Sequence, residues 1–356
     1  MNSLYERYCT SMQAWDDCAA VYEKQIVSGH PDITAYENFE EDLLDRLLRY
    51  LARSQKRPIR LMDIGCGSGR LHIRYGAKTA ALKNIDESSP FIRFKQTNPD
   101  LAYDEVIAGR LKEVWGIDFS KSMLDLARKK IKETGLDSHK SIPLKLEQGS
   151  AFELKSEPGK TLPVAVCLVN SISVMQGPEG AQELFKSMRN AVEDAGGIAM
   201  ISCYQKEYIQ SYGLGQYEST LDVSGQPWWM VPDTYASNSY IHKSRTYKLA
   251  YDPSPDLIVD IFDRQGNLIE KGFKLTRDPK RTANVVETGH IRTHTDYTSH
   301  WYSYDLIDAW TKTYWGDGAN HIPTKKLDAL RAEPAQLAVL DCGGNLDDIL
   351  QRWDVL

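Results

Sequence analysis

The chain has 356 residues, 42% of them apolar and 26% charged, which excludes a disordered or fibrous class and leaves ample apolar surface for a core. A formal charge of -6 and a pI near 5.8 offer no electrostatic footprint for nucleic acid or an anionic membrane, and favour a small-molecule substrate. The cysteines Cys9, Cys18, Cys66, Cys167, Cys203 and Cys342 stand singly, without C-x-x-C pairs or zinc-like spacing, and are expected as free thiols in a reducing, cytoplasmic compartment.

No apolar run approaches the roughly 18 residues of a membrane span, and the N-terminus lacks a basic region followed by an apolar one, so neither membrane insertion nor secretion is expected. Residues 1–53 form the predicted helical cap. Trp15, Cys18, Ala19, Tyr22 and Ile26 recur at helical spacing, and Phe39, Leu43, Leu44, Leu47, Leu48 and Leu51 mark a second helix after the stop at Ser28-Gly-His-Pro31. The predicted core, 54–203, opens on Arg60-Leu-Met-Asp-Ile-Gly-Cys-Gly-Ser-Gly-Arg70, which has the pattern of strand, glycine turn and helix. Glycines let backbone turn sharply or lie against a ligand, and a helix start offers free N–H groups, so the stretch predicts a nucleotide-like cofactor. A dinucleotide fingerprint needs glycine or alanine at position 70, which is Arg70.

The run Asp63-x-Gly65-x-Gly67-x-Gly69 resembles motif I of the class I S-adenosylmethionine-dependent methyltransferases, whose glycines cradle the methionine part of the cofactor. That resemblance makes Asp63, Gly65, Cys66, Gly67 and Gly69 candidate cofactor contacts. Ala14-Trp-Asp-Asp-Cys-Ala-Ala-Val-Tyr22 is similar to the W-D-x-x-A-x-x-Y segment that precedes motif I in many small-molecule members, where the tyrosine helps close the site. Tyr22 is accordingly a candidate for both cofactor and substrate contact.

A helix is expected over Leu71 to Leu82, but the next strand ending in an acid, Glu113 to Asp118, comes far later than the ~20 residues of a simple βαβ unit. An insertion over 83–110 fills the gap, as a lid or as surface decoration. Asp118 ends the second strand, where a carboxylate can accept both ribose hydroxyls. Its context, Gly116-Ile-Asp-Phe-Ser-Lys-Ser-Met-Leu124, resembles the family's G-x-D-x-S-x-x-M-L segment and adds Phe119 and Met123 to the cofactor set, with Ser120 as N-cap. After a third strand, Ile142 to Glu147, the family usually has Gly-Asp-Ala at the adenine. Here Ser150 replaces the acid, and because a hydroxyl is the weaker acceptor, adenine recognition shifts toward the backbone of Ala151 and Phe152.

The fourth strand, Val164 to Val169, is a continuous apolar run ended by Asn170 at the ligand rim. Ser171-Ile-Ser173 follows, instead of the Pro-Pro-aromatic run of nucleic-acid amino-methyltransferases, which counts against base methylation. A helix over Glu179 to Glu193, a Gly196-Gly197 stop and a fifth strand, Ile198 to Cys203, complete the core.

Residues 204–296 change texture and predict an inserted β-rich lid. Strands are expected at Thr246 to Tyr251, Leu257 to Phe262 and Leu268 to Leu275, the last two joined as a hairpin across Asp263 to Asn267. Glycine and sarcosine N-methyltransferases carry a comparable insertion, which points to an amine or amino-acid nitrogen as acceptor. Candidate substrate contacts are Ser173, the aromatics Tyr204, Tyr208 and Trp229, and His242, Arg245 and Arg292 for a carboxylate. His290, Arg292, His294 and Asp296 alternate, so a strand would set them on one face, expected to be solvated or substrate-facing rather than a metal site. Residues 297–356 are expected to return to the sheet, with a helix over Tyr304 to Trp315, a strand at Leu337 to Leu340 and a terminal helix over Leu346 to Trp353.

Together these readings predict an α/β protein with a doubly wound, mostly parallel, seven-stranded Rossmann-like sheet, N-terminal helices and the inserted lid. The expected cofactor is S-adenosylmethionine, with no metal. The expected activity is methyl transfer to a small molecule. O- or S-methylation of a natural product, and a non-catalytic cofactor-binding module, stay open as alternatives, as does a homo-oligomer. No residue identifies itself as a catalytic base, and a neutral amine needs none.

Overall fold

Every residue of strand β1 (Ile59–Ile64) is buried, the charged Arg60 and Asp63 included, as a strand at the centre of a sheet covered on both faces requires. The computed structural model describes residues 15, 16, 19, 31–82, 88–138, 142–156, 159–169, 171–175, 177–204, 230–232, 239–249, 256–262, 268–276, 291–322 and 335–346. For 31–37, 138, 204, 335 and the described positions within 230–301 it describes the backbone alone. Helix α1 (Pro31–Ser54) leads into β1, and α2 (Arg70–Thr79), α3 (Pro90–Thr97) and α4 (Glu105–Arg110) lie between β1 and β2 (Leu111–Asp118). Then come α5 (Lys121–Glu133), β3 (Leu144–Gln148), β4 (Leu162–Cys167), α6 (Gly177–Val192) and β5 (Ile198–Tyr204). Strands β6 (Met230–Pro232), β7 (Ser239–Leu249), β8 (Asp256–Phe262), β9 (Leu268–Thr276) and β10 (Ile291–Tyr302) precede α7 (Tyr304–Trp310), β11 (Asn320–Ile322) and β12 (Ala335–Asp341).

The main sheet has seven strands in the order β11-β12-β5-β4-β1-β2-β3. Strands β1 to β5 run parallel, while β12 is antiparallel to β5 and β11 to β12. The order reverses between β1 and β4, and in such sheets the crevice outside the carboxyl ends of the strands at that switch is where ligands bind. Alternation along β1 sends Leu61 to a core with Leu43, Leu47 and Leu51 of α1 and Tyr75 of α2. Met62 and Ile64 face the opposite core, with Phe185 and Met188 of α6 and Trp310 of α7.

The expected elements that fall on described residues are present with three changes, and the first N-terminal helix is described only at residues 15, 16 and 19. Strand β4 ends at Cys167 rather than at Val169, because the chain turns, Ser171 N–H donating to the Leu168 carbonyl (3.0 Å) and Val169 adopting a φ of +52°. The helix expected over Tyr304 to Trp315 is α7 followed by one π-helical turn, Thr311–Trp315. The three-residue β11 carries no periodicity that the sequence reveals. The helix expected at the C-terminus lies outside the described residues.

The described part of the 83–110 insertion packs on the C-terminal end of α2. Helix α2 begins at the glycine turn and ends at the opposite edge of the sheet, and the insertion docks on that far end. Lys95 Nζ donates to the Ala77 carbonyl (2.7 Å) and the Leu101 carbonyl (2.6 Å), and Phe91 packs with Ile73, Ala77 and Leu136.

Strands β10, β7 and β6 form a separate antiparallel sheet, and β8 pairs with β9 as the expected hairpin. A register shift between Ile291 and His294 sets two residues of β10, Arg292 and Thr293, against one of β7, Lys248. The alternation is therefore broken between Arg292 and His294, while His294 and Asp296 keep a shared face in register with Tyr247 and Arg245. Among the described residues no helix is long and apolar enough to cross a membrane.

Candidate cofactor site

The turn after β1 is held by the end of β2. Gly65 N–H and Cys66 N–H both donate to the Ile117 carbonyl (2.9 and 3.1 Å), and Gly69 N–H closes the turn on the Cys66 carbonyl (2.9 Å). Two glycines are structurally required. Gly69 has a φ of +78°, and a Cβ there would lie 2.9 Å from that of Ala127, so α2 and α5 meet only because it is absent. Gly65, at φ +76°, lets the turn approach Ser171 and Met175.

Asp118 is tied into the same turn. Its Oδ2 accepts from Gly67 N–H (2.9 Å) and its Oδ1 from Ser120 N–H (2.9 Å). Burial pushes the carboxyl up to about 6, against the pull of those N–H groups. An ionised carboxylate offers about four lone-pair sites, so beyond the N–H groups of Gly67, Ser120 and Phe119 it keeps acceptor capacity for a hydroxyl of a ligand. Asp63 is raised further, to about 7, by burial, with Arg70 opposing and Asp118 and Glu40 adding to the rise. Beside it, His72 is held neutral by burial, with its pKa lowered to about 4. His72 Nε2 lies 2.9 Å from the Lys145 carbonyl, which can only accept, so Nε2 carries the proton and Nδ1 presents a bare lone pair 3.9 Å from Asp63 Oδ2. Burial also pushes the Cys66 thiol far up, leaving it unreactive.

Three acids at the site escaped the motif reading. Glu40, wholly buried, accepts from Val169 N–H (2.7 Å) and the Ser202 hydroxyl on Oε1 and from Arg70 Nη2 (3.1 Å) on Oε2. Glu41 takes Arg70 Nη1 (3.1 Å). The guanidinium that replaces a fingerprint glycine thus locks α2 to α1. Asp16, helical like Trp15 and Ala19, accepts from the Ser120 hydroxyl (2.6 Å) and Ser122 N–H (3.0 Å) through Oδ1. The only sequence signal for the first two was the spacing of acids on α1 that matches the bases on α2, and for Asp16 its place in the W-D-x-x-A-x-x-Y segment.

Of the predicted cofactor residues, Asp63, Gly65, Cys66, Gly67, Gly69 and Asp118 converge on one rim. Met123 joins them, its Cε 3.3 Å from where a Gly67 Cβ would stand. Phe119 follows Asp118, and its carbonyl accepts from Gln148 Nε2 (3.1 Å). Gly149 N–H donates to the Asp118 carbonyl (3.0 Å), which brings the 149–152 turn alongside. There the Ser150 hydroxyl accepts from Phe152 N–H (3.2 Å), a local use of the oxygen, while Ala151 and Phe152 rest half-buried on the α6 side. Ser173 is buried in the turn after β4. Tyr22, Asn170, Tyr208, Trp229 and His290 lie outside the described residues. Tyr204 ends β5, His242 and Arg245 belong to β7, and Arg292 belongs to β10, all known by backbone alone. In that backbone Arg245 stands opposite Asp296, and His242 opposite Ser299.

No family model and no curated protein matches the chain. Solved structures of similar fold include an S-adenosylmethionine-dependent methyltransferase from Clostridium acetobutylicum, 13% identical over 92% of this chain and 98% of that one, with a TM-score of 0.40. Another from Methanosarcina mazei is 13% identical over 81% and 93%, also at 0.40. An amino pentose methyltransferase from Micromonospora echinaspora is 13% identical over 95% and 97%, at 0.36. All three are methyltransferases. At such identities and TM-scores these likenesses add nothing to what the strand order and the site geometry of this chain say.

Proposed function

We propose that this protein binds S-adenosylmethionine and transfers its methyl group to a small molecule, with an amine or amino-acid nitrogen as acceptor. The observation that carries the reading is the tie between Gly67 N–H and Asp118 Oδ2. It sets a glycine turn and a buried, under-used carboxylate side by side at the switch point of the sheet. Such a pair suits a ligand that carries a ribose and lacks a pyrophosphate, since position 70 is occupied by an arginine engaged with Glu40 and Glu41.

In this reading Asp118 takes the ribose hydroxyls, the turn from Gly65 to Gly69 lies along the methionine part, and Ser150, Ala151 and Phe152 border the adenine. S-adenosylmethionine supplies an activated methyl on a sulfonium when bound. The residues of the chain hold and orient it and keep water away, the main task left when the leaving group is already charged. The acidic balance of the whole chain favours a small acceptor over nucleic acid.

Isothermal titration with S-adenosylmethionine and with its demethylated product tests the cofactor. Binding of both is expected, and no heat from either with an intact fold overturns the reading. Incubation with a mixed metabolite extract, followed by mass spectrometry, identifies the methylated product and separates nitrogen from oxygen or sulfur acceptors.

A further inference from the structure

The turn that carries Asp118 is held from a place more than a hundred residues earlier in the chain. Ser120 performs two tasks at once: its N–H donates to Asp118 Oδ1 (2.9 Å), and its hydroxyl donates to Asp16 Oδ1 (2.6 Å) while accepting from Met123 N–H (3.1 Å). The same Asp16 oxygen accepts from Ser122 N–H (3.0 Å). Asp16 thereby fixes two of the first residues of α5 and, through Ser120, the orientation of the Asp118 carboxylate. Hydrogen bonds to a charged acceptor are the stronger kind, and a hydroxyl committed to one acceptor cannot rotate to another.

We propose that Asp16 is a positioning residue for the ribose-binding carboxylate, acting through Ser120. It contacts none of the glycine turn and makes none of the cofactor contacts assigned above. The N-terminal segment therefore takes part in cofactor affinity without touching the cofactor. This rests on the reading of Asp118 as the ribose acceptor.

The test is calorimetric titration of the full chain with S-adenosylhomocysteine and with its 2′,3′-dideoxy analogue. Asp16→Ala is expected to weaken the first by roughly tenfold and to leave the second unchanged, because only the hydroxyls read the orientation of Asp118. Asp16→Asn, which keeps the acceptor oxygen, is expected within about threefold of the parent protein and gives the readout should the alanine variant fold poorly. In the double variant with Ser120→Ala the Asp16→Ala loss should shrink well below its value in the parent, since both remove the Ser120 hydroxyl link and only the Asp16 bond to Ser122 N–H differs. Equal weakening of both ligands by Asp16→Ala, or additive losses in the double variant, would overturn the proposal. Failure of the unmutated protein to bind S-adenosylhomocysteine overturns instead the functional reading on which it rests.

Discussion

Helices α1 and α2 meet through two ionic clusters one helical turn apart. In the outer one, Asp45 accepts from Arg74 Nη2 (2.7 Å), Lys78 Nζ (2.7 Å) and the Tyr75 hydroxyl (3.0 Å). Burial works to raise its carboxyl, yet the two cations win and hold it below the ordinary value. In the inner one, Arg70 reaches Glu40 and Glu41 (3.1 Å each), and Arg74, shared with the outer cluster, also reaches Glu41 (2.5 Å), with Asp63 close behind. There burial wins, and both Glu40 and Asp63 are raised. Asp45 is bonded by two cations and Glu40 by Arg70, so the number of cations at each carboxylate makes the difference. The outer cluster is neutralised and acts as a staple. The inner one, which borders the glycine turn, is short of positive charge, and a cationic ligand would supply it.

The comparison breaks most visibly at the staple. Asp45→Ala strands the buried Lys78 and leaves Arg74 held by Glu41, and should cost about 3 kcal/mol in urea unfolding, with cofactor affinity of the folded protein unchanged. The inner cluster should instead reveal itself through pH. A carboxyl raised from 3.8 to about 7, as Asp63 is, keeps its proton in the folded state where the unfolded chain has lost it. Its stabilisation is complete below the unfolded value and is lost as pH rises through about 7. Unfolding free energy should therefore fall between pH 5 and 8 more steeply in the parent than in Asp63→Asn, by on the order of 2 kcal/mol. Calorimetry in buffers of different ionisation enthalpy near pH 6.5 should register proton release on binding S-adenosylmethionine, and less with its uncharged-sulfur product. Equal release would mean that the sulfonium does not sense the cluster.

Asp118→Ala should weaken S-adenosylmethionine by at least about 1.5 kcal/mol, roughly tenfold, and an unchanged affinity would remove the ribose assignment. Smallest is Lys95→Met, on the far end of α2. It leaves two carbonyls without their donor and should cost about 1 kcal/mol of stability, with no effect on cofactor affinity. A drop in that affinity would return the insertion to the role of a lid.

The strands of the core, the glycine turn and the place of Asp118 were legible in the sequence because each follows from local rules: apolar runs, positive φ and an acid at a strand end. Partners that come from far along the chain were not legible. Nothing near Arg70 announces Glu40, and nothing near Ser120 announces Asp16. β11 is too short for any period to show, and one extra residue in β10 is enough to break an alternation that its letters display plainly. In the sequence Ser150 reads as a weaker acceptor than the acid it replaces, with no sign there of a local partner for its hydroxyl. The structure spends that oxygen on the N–H of Phe152 two residues on.

Val169 gives the rim of β4 a character of its own. A β-branched residue at a φ of +52° costs about 1–3 kcal/mol to hold, and its N–H is anchored by the buried carboxylate of Glu40. The chain cannot relax toward an extended conformation there without abandoning that bond. The strand therefore arrives at the crevice already set, and a ligand entering it meets a wall whose cost of organisation was met during folding.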